Sequence, residues 1–133
     1  MSFSNYLENA VLNHITGKTA FTQPTVFVGL STTAPTENGT GITEPTGGSY
    51  ARVATSGATW STATTGSTNN AAAITFPTAT ANWSAGANFT HVVLFDAASG
   101  GNFLAQGQIT TPKPVLNGDT ASFAIGNITI TLD

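Results

Sequence analysis

The sequence predicts a mainly β protein, a single-domain antiparallel β-sandwich with one N-terminal α-helix. Three observations predict it. One stretch alone carries helical periodicity. About seven short segments rich in β-branched and aromatic residues follow it. Turns of Gly, Pro, Asn and Asp, with no interleaved helices, separate those segments. The implied organisation is a helical arm over residues 1–20 and a β-sandwich domain over 21–133, with a long loop at 31–48. A length of 133 residues suits one domain. Folding should leave roughly 6,500 Å² exposed out of about 20,000 Å², enough burial for one core without staples.

The elements follow in order. Leu7, Ala10, Val11, His14 and Ile15 fall at i, i+3, i+4, i+7 and i+8, which predicts a helix over 5–16, about 18 Å long. Leu12 widens its apolar stripe. Asn5 reads as the N-cap, with Glu8 placed as in a capping box, and Gly17 as the stop. Thr25 to Leu30, behind Pro24, reads as a mostly buried strand. Ser31 to Gly48 carries Pro35, Asn38-Gly39, Pro45 and Gly47-Gly48. It reads as a loop well beyond ordinary connection lengths, a trait of functional or disordered segments. Tyr50 to Thr55 reads as the next strand, with Tyr50, Arg52 and Ala54 on one face.

Residues 56–73 are low in complexity around Trp60, and both thin strands and extended loop fit them. A strand recovers at Ala73 to Phe76 and ends at Pro77. Trp83 and Phe89 flank a small-residue turn. The clearest hairpin joins Thr90–Asp96 to Asn102–Ile109. Pro112-Lys113-Pro114 reads as stiff and extended. After a turn at Asn117-Gly118-Asp119, Thr120 to Ile125 alternates polar with apolar. Ile128, Ile130 and Leu132 then alternate with Thr129, Thr131 and Asp133, a strict period of two that turns one face to a core. The helix must pack outside the sheets or against a neighbour.

Composition bounds function. Only 7% of residues are charged, three Lys or Arg and six Asp or Glu, against about a quarter in an ordinary soluble domain. Catalysis needs acids, bases or metal ligands held together, and little here can supply them. The net charge is −3, and Lys18, Arg52 and Lys113 lie far apart, which argues against nucleic acid as a partner. There is no cysteine, so disulfides and thiolate metal sites are excluded. The N-terminus lacks the basic and apolar regions of a secretory signal. No apolar run approaches the roughly 18 residues of a membrane span. The Asn-x-Ser/Thr triplets at Asn38, Asn82, Asn88 and Asn127 are what a chain rich in these residues produces by chance.

Each residue with chemical potential has a plainer reading. His14 on the helix stripe reads as a partly buried structural histidine rather than a ligand. His91, Asp96 and Ser99 contain the types of a catalytic triad, but His91 and Asp96 fall on opposite faces of a strand and no nucleophile elbow is present. Glu37 and Glu44 share the long loop without a calcium pattern, and loop solubility accounts for them. Gly47-Gly48 and Gly100-Gly101 read as turns, not phosphate cradles. Trp60 and Trp83 read as core or interface anchors before sugar platforms. The expectation is no catalytic residue, no cofactor-binding residue, no metal site and no cofactor.

Several stretches resemble a family of small tailed-phage virion proteins. They are Asn5 to Ala20 (NYLENAVLNHITGKTA), Thr25 to Ser31 with Pro35-Thr36, Glu44 to Val53 (EPTGGSYARV), Ile74 to Pro77, Trp83-Ser84 to Phe95-Asp96, and Gly118-Asp119 with the last strand. The resemblance covers most of the chain. Members are labelled head fibre, tail fibre or capsid decoration proteins, and the family brings no catalytic motif. It implies a non-enzymatic virion structural protein. The chain carries no coiled-coil heptads, fibre repeats or separate tip domain. The leading expectation is therefore a capsid decoration (cement) protein, assembled in the host cytoplasm onto the outer capsid surface. Its partners would be the major capsid protein and itself as a homotrimer, with no nucleic acid and no membrane. A tail, baseplate or vertex head-fibre component is the alternative, and a carbohydrate-binding module using Trp60 or Trp83 a more distant one. The helix stripe and the 31–48 loop are the expected contact regions.

Overall fold

The computed structural model describes residues 1–132. The chain forms β1 (Ser2–Phe3), α1 (Asn5–Ile15), β2 (Phe27–Ser31), β3 (Val53–Ala54), β4 (Ser67–Asn69), β5 (Ile74–Thr75), β6 (Phe89–Phe95), β7 (Phe103–Lys113), β8 (Ser122–Phe123) and β9 (Thr129–Thr131). All pairings are antiparallel. The main sheet runs β1-β7-β6-β2-β3, and two small ribbons, β4-β9 and β5-β8, lie apart from it. The predicted class holds: one helix on a mainly β, antiparallel, sandwich-like domain. The second layer differs from a full sheet, because its strands are two or three residues long and irregular backbone links them.

Strand β6 sets the layers. Its alternation sends Val92 and Leu94 to one face and Val93 and Phe95 to the other. Val92 and Leu94 join Val28, Leu30 and Leu104 beneath Ile74, Phe76, Trp83, Val115 and Ile128 from the ribbon side. Trp83 is 1% exposed. Tyr50, Phe76 and Phe89 surround it at ring-centroid distances of 5.1, 6.3 and 6.3 Å, all edge-on. Its indole N–H donates to the Gly48 carbonyl at 2.8 Å. Gly48 has φ +58°, and a Cβ there would stand 3.0 Å from Trp83 Cδ1, so this turn requires glycine.

The other face is where the long loop belongs. Ile42 packs on Val93, Phe95 and Phe103. Pro35 and Pro45 are buried. Ser31, fully buried, accepts from the Thr33 and Thr43 amides through Oγ, at 3.2 and 3.0 Å. Residues 31–48 therefore form a knitted cover over the sheet rather than a free arm.

A largely buried ion pair fastens that cover. Arg52 donates to the Glu44 carboxylate from Nε at 3.0 and 3.1 Å and from NH2 at 2.6 Å, with the two side chains 8% and 18% exposed. Its NH1 donates to the carbonyls of Ala97 and Gly100, both at 2.8 Å, filling the β6–β7 turn. The guanidinium lies 3.4 Å above the Phe95 ring. The Tyr50 hydroxyl donates to Glu44 at 2.6 Å and accepts from the Leu30 amide at 3.0 Å, replacing a strand partner where β3 has ended. Burial, then the bond to Glu44, pushes the Tyr50 phenol far above its ordinary pKa. A Cβ on Gly29 would come within 2.6 Å of Glu44 Oε1, so β2 passes beneath the carboxylate only as glycine. The expectation that Glu44 serves loop solubility is thus overturned. Its carboxylate is a half-buried structural partner.

Other local expectations shift for identifiable reasons. The helix N-cap is Ser4, not Asn5. Ser4 Oγ accepts from the Leu7 amide at 3.2 Å while donating to Phe103 O at 2.5 Å, so tertiary pairing decides the cap. Tyr50–Thr55 keeps only Val53–Ala54 in the ladder, because Tyr50 and Arg52 turn to Glu44. Strand β7 runs past Ile109 to Lys113. Phe89 faces Lys113 and His91 faces Gln108, two residues against five, so a bulge absorbs Pro112. Ile128 and Ile130 face the core as predicted, but Leu132 is 56% exposed, beyond the end of β9.

Asn70 is the least anticipated core residue. It is 0% exposed. Its amide donates to Ala72 O at 2.9 Å and Ala124 O at 2.8 Å, and its Oδ1 accepts from Ile128 N at 2.8 Å. It ties the low-complexity segment to the β8–β9 connection.

Two outcomes follow for thermal unfolding. Glu44→Gln should cost about 3–5 kcal/mol, since a buried guanidinium loses its counter-ion. That lowers the midpoint on the order of 10 °C or more. An unchanged midpoint would contradict the pairing. Asn70→Asp keeps the shape but turns an acceptor toward two carbonyls. It should cost about 3 kcal/mol or more, and parity with wild type would refute the clamp.

Candidate functional site

The titratable groups are scattered. His91 lies at one end of β6, and Asp96 follows the other end, about 16 Å away at the rise of a strand. Both Asp96 oxygens are occupied by Asn102, through its backbone N at 2.6 Å and Nδ2 at 2.8 Å. The structure therefore does not bring His91, Asp96 and Ser99 together. Partial burial holds the His91 ring below its ordinary pKa, and its Nδ1 meets the Thr90 hydroxyl at 2.8 Å. His14 is exposed, not partly buried. Its Nδ1 accepts from the Phe21 amide at 3.1 Å, fastening the segment after the helix. Glu37 is exposed too, and its backbone carbonyl accepts from the Asn5 amide at 2.9 Å. Among the described residues no three His, Asp or Glu gather around a common point.

The aromatic candidates divide. Trp83 is core and offers no stacking face. Trp60 is half-buried against the core, with its indole N–H donated to the Thr55 hydroxyl at 3.0 Å. Of the three cations, Arg52 is spent internally, while Lys18 and Lys113 reach the surface. Among the described residues no helix is long and apolar enough to cross a membrane.

What the surface does offer is apolar shape at the two ends of the β6–β7 hairpin. Near the Asp96 end, α1 packs on β7 and contains no buried residue. Leu7 reaches the core. The outer face, one row at i, i+4, i+7, carries Glu8, Leu12 and Ile15, with Leu12 55% and Ile15 70% exposed. The predicted stripe is therefore split: its first half packs and its second half projects. A groove of about 600 Å³ runs between the helix and residues 19–24, past Tyr6, Ala10 and Phe21. Near the Phe89 end, a groove of about 390 Å³ reaches the core side chains Leu30, Phe89 and Val115, between the bulged part of β7 and the β5–β8 ribbon. Helical periodicity pointed to the first surface. Nothing local pointed to the second, because it arises where a β-bulge meets a distant ribbon.

This arrangement suits binding by fit rather than chemistry on a substrate. No curated protein matches the chain. The family described as "Podophage GP4 fiber I protein gp80" matches residues 2–131, nearly the whole length, including the helix, the 31–48 cover and both ribbons. The chain is therefore a phage structural protein and belongs to the podophage GP4 fiber I protein gp80 family.

Proposed function

We propose that this protein is a non-enzymatic subunit on the exterior of a phage particle, built into a fibre and held there by shape-matched contact. The observation that carries this reading is the outer face of α1. Leu12 and Ile15 project from a helix that needs neither of them for its own packing. In a chain with so few charges, contact surfaces of this kind desolvate few ions when they close. The fibre description of the family supports the same placement.

A second reading is favoured by one observation. The described residues form a compact body whose longest helix has 11 residues, a shape suited to covering a lattice. In that reading the chain is a capsid decoration protein. It would bind the outer surface of the major capsid protein lattice as a homotrimer and stabilise the head. A carbohydrate-binding module is disfavoured, since Trp83 is sealed and the Trp60 ring is half-buried against the core.

Quantitative mass spectrometry of purified particles, combined with immunogold labelling, separates the readings. A fibre subunit should appear at low copy number and label at discrete appendages. Copies on the order of hundreds spread evenly over the shell would favour decoration instead. Absence from purified particles would refute both.

A further inference from the structure

We propose that the groove at the Phe89 end of the β6–β7 hairpin receives the outer face of α1 from a second copy of the chain, so that copies join head to tail. The two surfaces are complementary in shape and sign. The projecting face is an apolar row with an acid at one end: Glu8, Leu12, Ile15. The groove has an apolar floor of Leu30, Phe89, Ile109 and Phe123, and Lys113 on its rim. Its volume, about 390 Å³, lies in the range of pockets that enclose a ligand-sized group. The one other charged residue lining it is Asp119, whose Oδ2 accepts from the Leu116 amide at 3.0 Å within its own turn.

Charge identifies the occupant. The single ion pair among the described residues joins Glu44 and Arg52. Glu8 and Lys113 thus have no opposite charge within 4.0 Å among those residues. In a chain with three cations and six acids, one unpaired acid sits beside the apolar projection and one unpaired cation beside the apolar recess. Seating Leu12 and Ile15 on that floor brings Glu8 toward Lys113. The apolar anchors supply the affinity and the exposed ion pair mainly the register, whereas a like charge set opposite Glu8 would cost far more than the pair gains.

Placement decides what such a contact builds. The helix stands near Asp96 and the groove near Phe89, at opposite ends of a seven-residue strand about 20 Å long. A contact between two different surfaces is heterologous, and it closes into a ring or continues as a filament. This inference deepens the proposed fibre reading and rests on it for biological meaning, but the contact itself is a property of the isolated chain.

Sedimentation velocity on the purified full chain, from micromolar to millimolar concentration, tests it. Wild type should pass beyond dimer as concentration rises. Ile15→Glu and Lys113→Glu, both at exposed positions, should each weaken association about tenfold or more while keeping the wild-type unfolding midpoint. An equimolar mixture of the two variants should form a one-to-one heterodimer and stop there. Lys113→Glu keeps an intact helix face, and Ile15→Glu keeps an intact groove. Combining Glu8→Lys with Lys113→Glu in one chain should restore assembly. A wild type that stays monomeric, or stops at dimer, overturns the proposal, as does a mixture that stays monomeric or variants that assemble normally. A monomeric chain still present in particles would overturn this contact and leave the virion reading intact. A self-associating chain absent from particles would do the reverse.

Discussion

The bond between Glu44 and Arg52 is the constraint on which the rest of this fold leans. It is expensive, because two charges leave water. It survives because every polar atom around it is answered. The guanidinium reaches the carboxylate, two turn carbonyls and an aromatic face, and the carboxylate also receives a phenol. Each partner comes from a different part of the chain: the 31–48 cover, the β3 approach, the β6–β7 turn and, through Leu30, strand β2. One knot thereby aligns four segments, in register with the apolar contacts of Ile42, Phe95 and Tyr50 around it. It also explains why so few charges suffice. Among the described residues one ion pair joins the cover to the sheet, and Thr, Ser and Asn hydrogen bonds hold the outer turns.

That economy shapes the exterior. With Arg52 internal, two of the three cations reach a sparsely charged surface, whose features are made largely by shape. A helix projects its second apolar face at one end of the main hairpin, and a recess opens at the other end where β7 bulges. Membership of a phage fibre family gives these features a setting. The His91 and Asp96 side chains, the nearest approach to clustered acid and base chemistry, are held apart and bonded to Thr90 and Asn102.

Much of this was legible in the sequence, and the boundary is instructive. The helix, the β6–β7 hairpin and the inward Ile128 and Ile130 follow from period alone, because local pattern and tertiary demand coincide there. The core position of Trp83 follows from its size. The family follows from stretches such as Glu44 to Val53, whose role is now clear: EPTGGSYARV carries the ion pair, the glycine turn against Trp83 and the phenol bridge. Sequence reasoning fell short where the partner is remote. Ser4 caps the helix because Phe103, 99 residues away, holds it. Asn70 reads as a loop residue and is core, since its partners lie 54 and 58 residues away. Glu44 looks solvated until Arg52 and Gly29 are folded beneath it. The recess around Phe89 needs a bulge and a ribbon to meet, and neither segment announces the other.

Native-state hydrogen exchange probes the central claim most directly, residue by residue. If the Glu44–Arg52 knot binds the cover into the cooperative core, the amides of Leu30, Thr32 and Thr43 should exchange only through global opening, with the same protection as Val93 in the middle of β6. Rapid exchange of Thr32 and Thr43 while Val93 stays protected would mean that the 31–48 segment opens on its own. The ion pair would then be an ornament on a fold held together elsewhere.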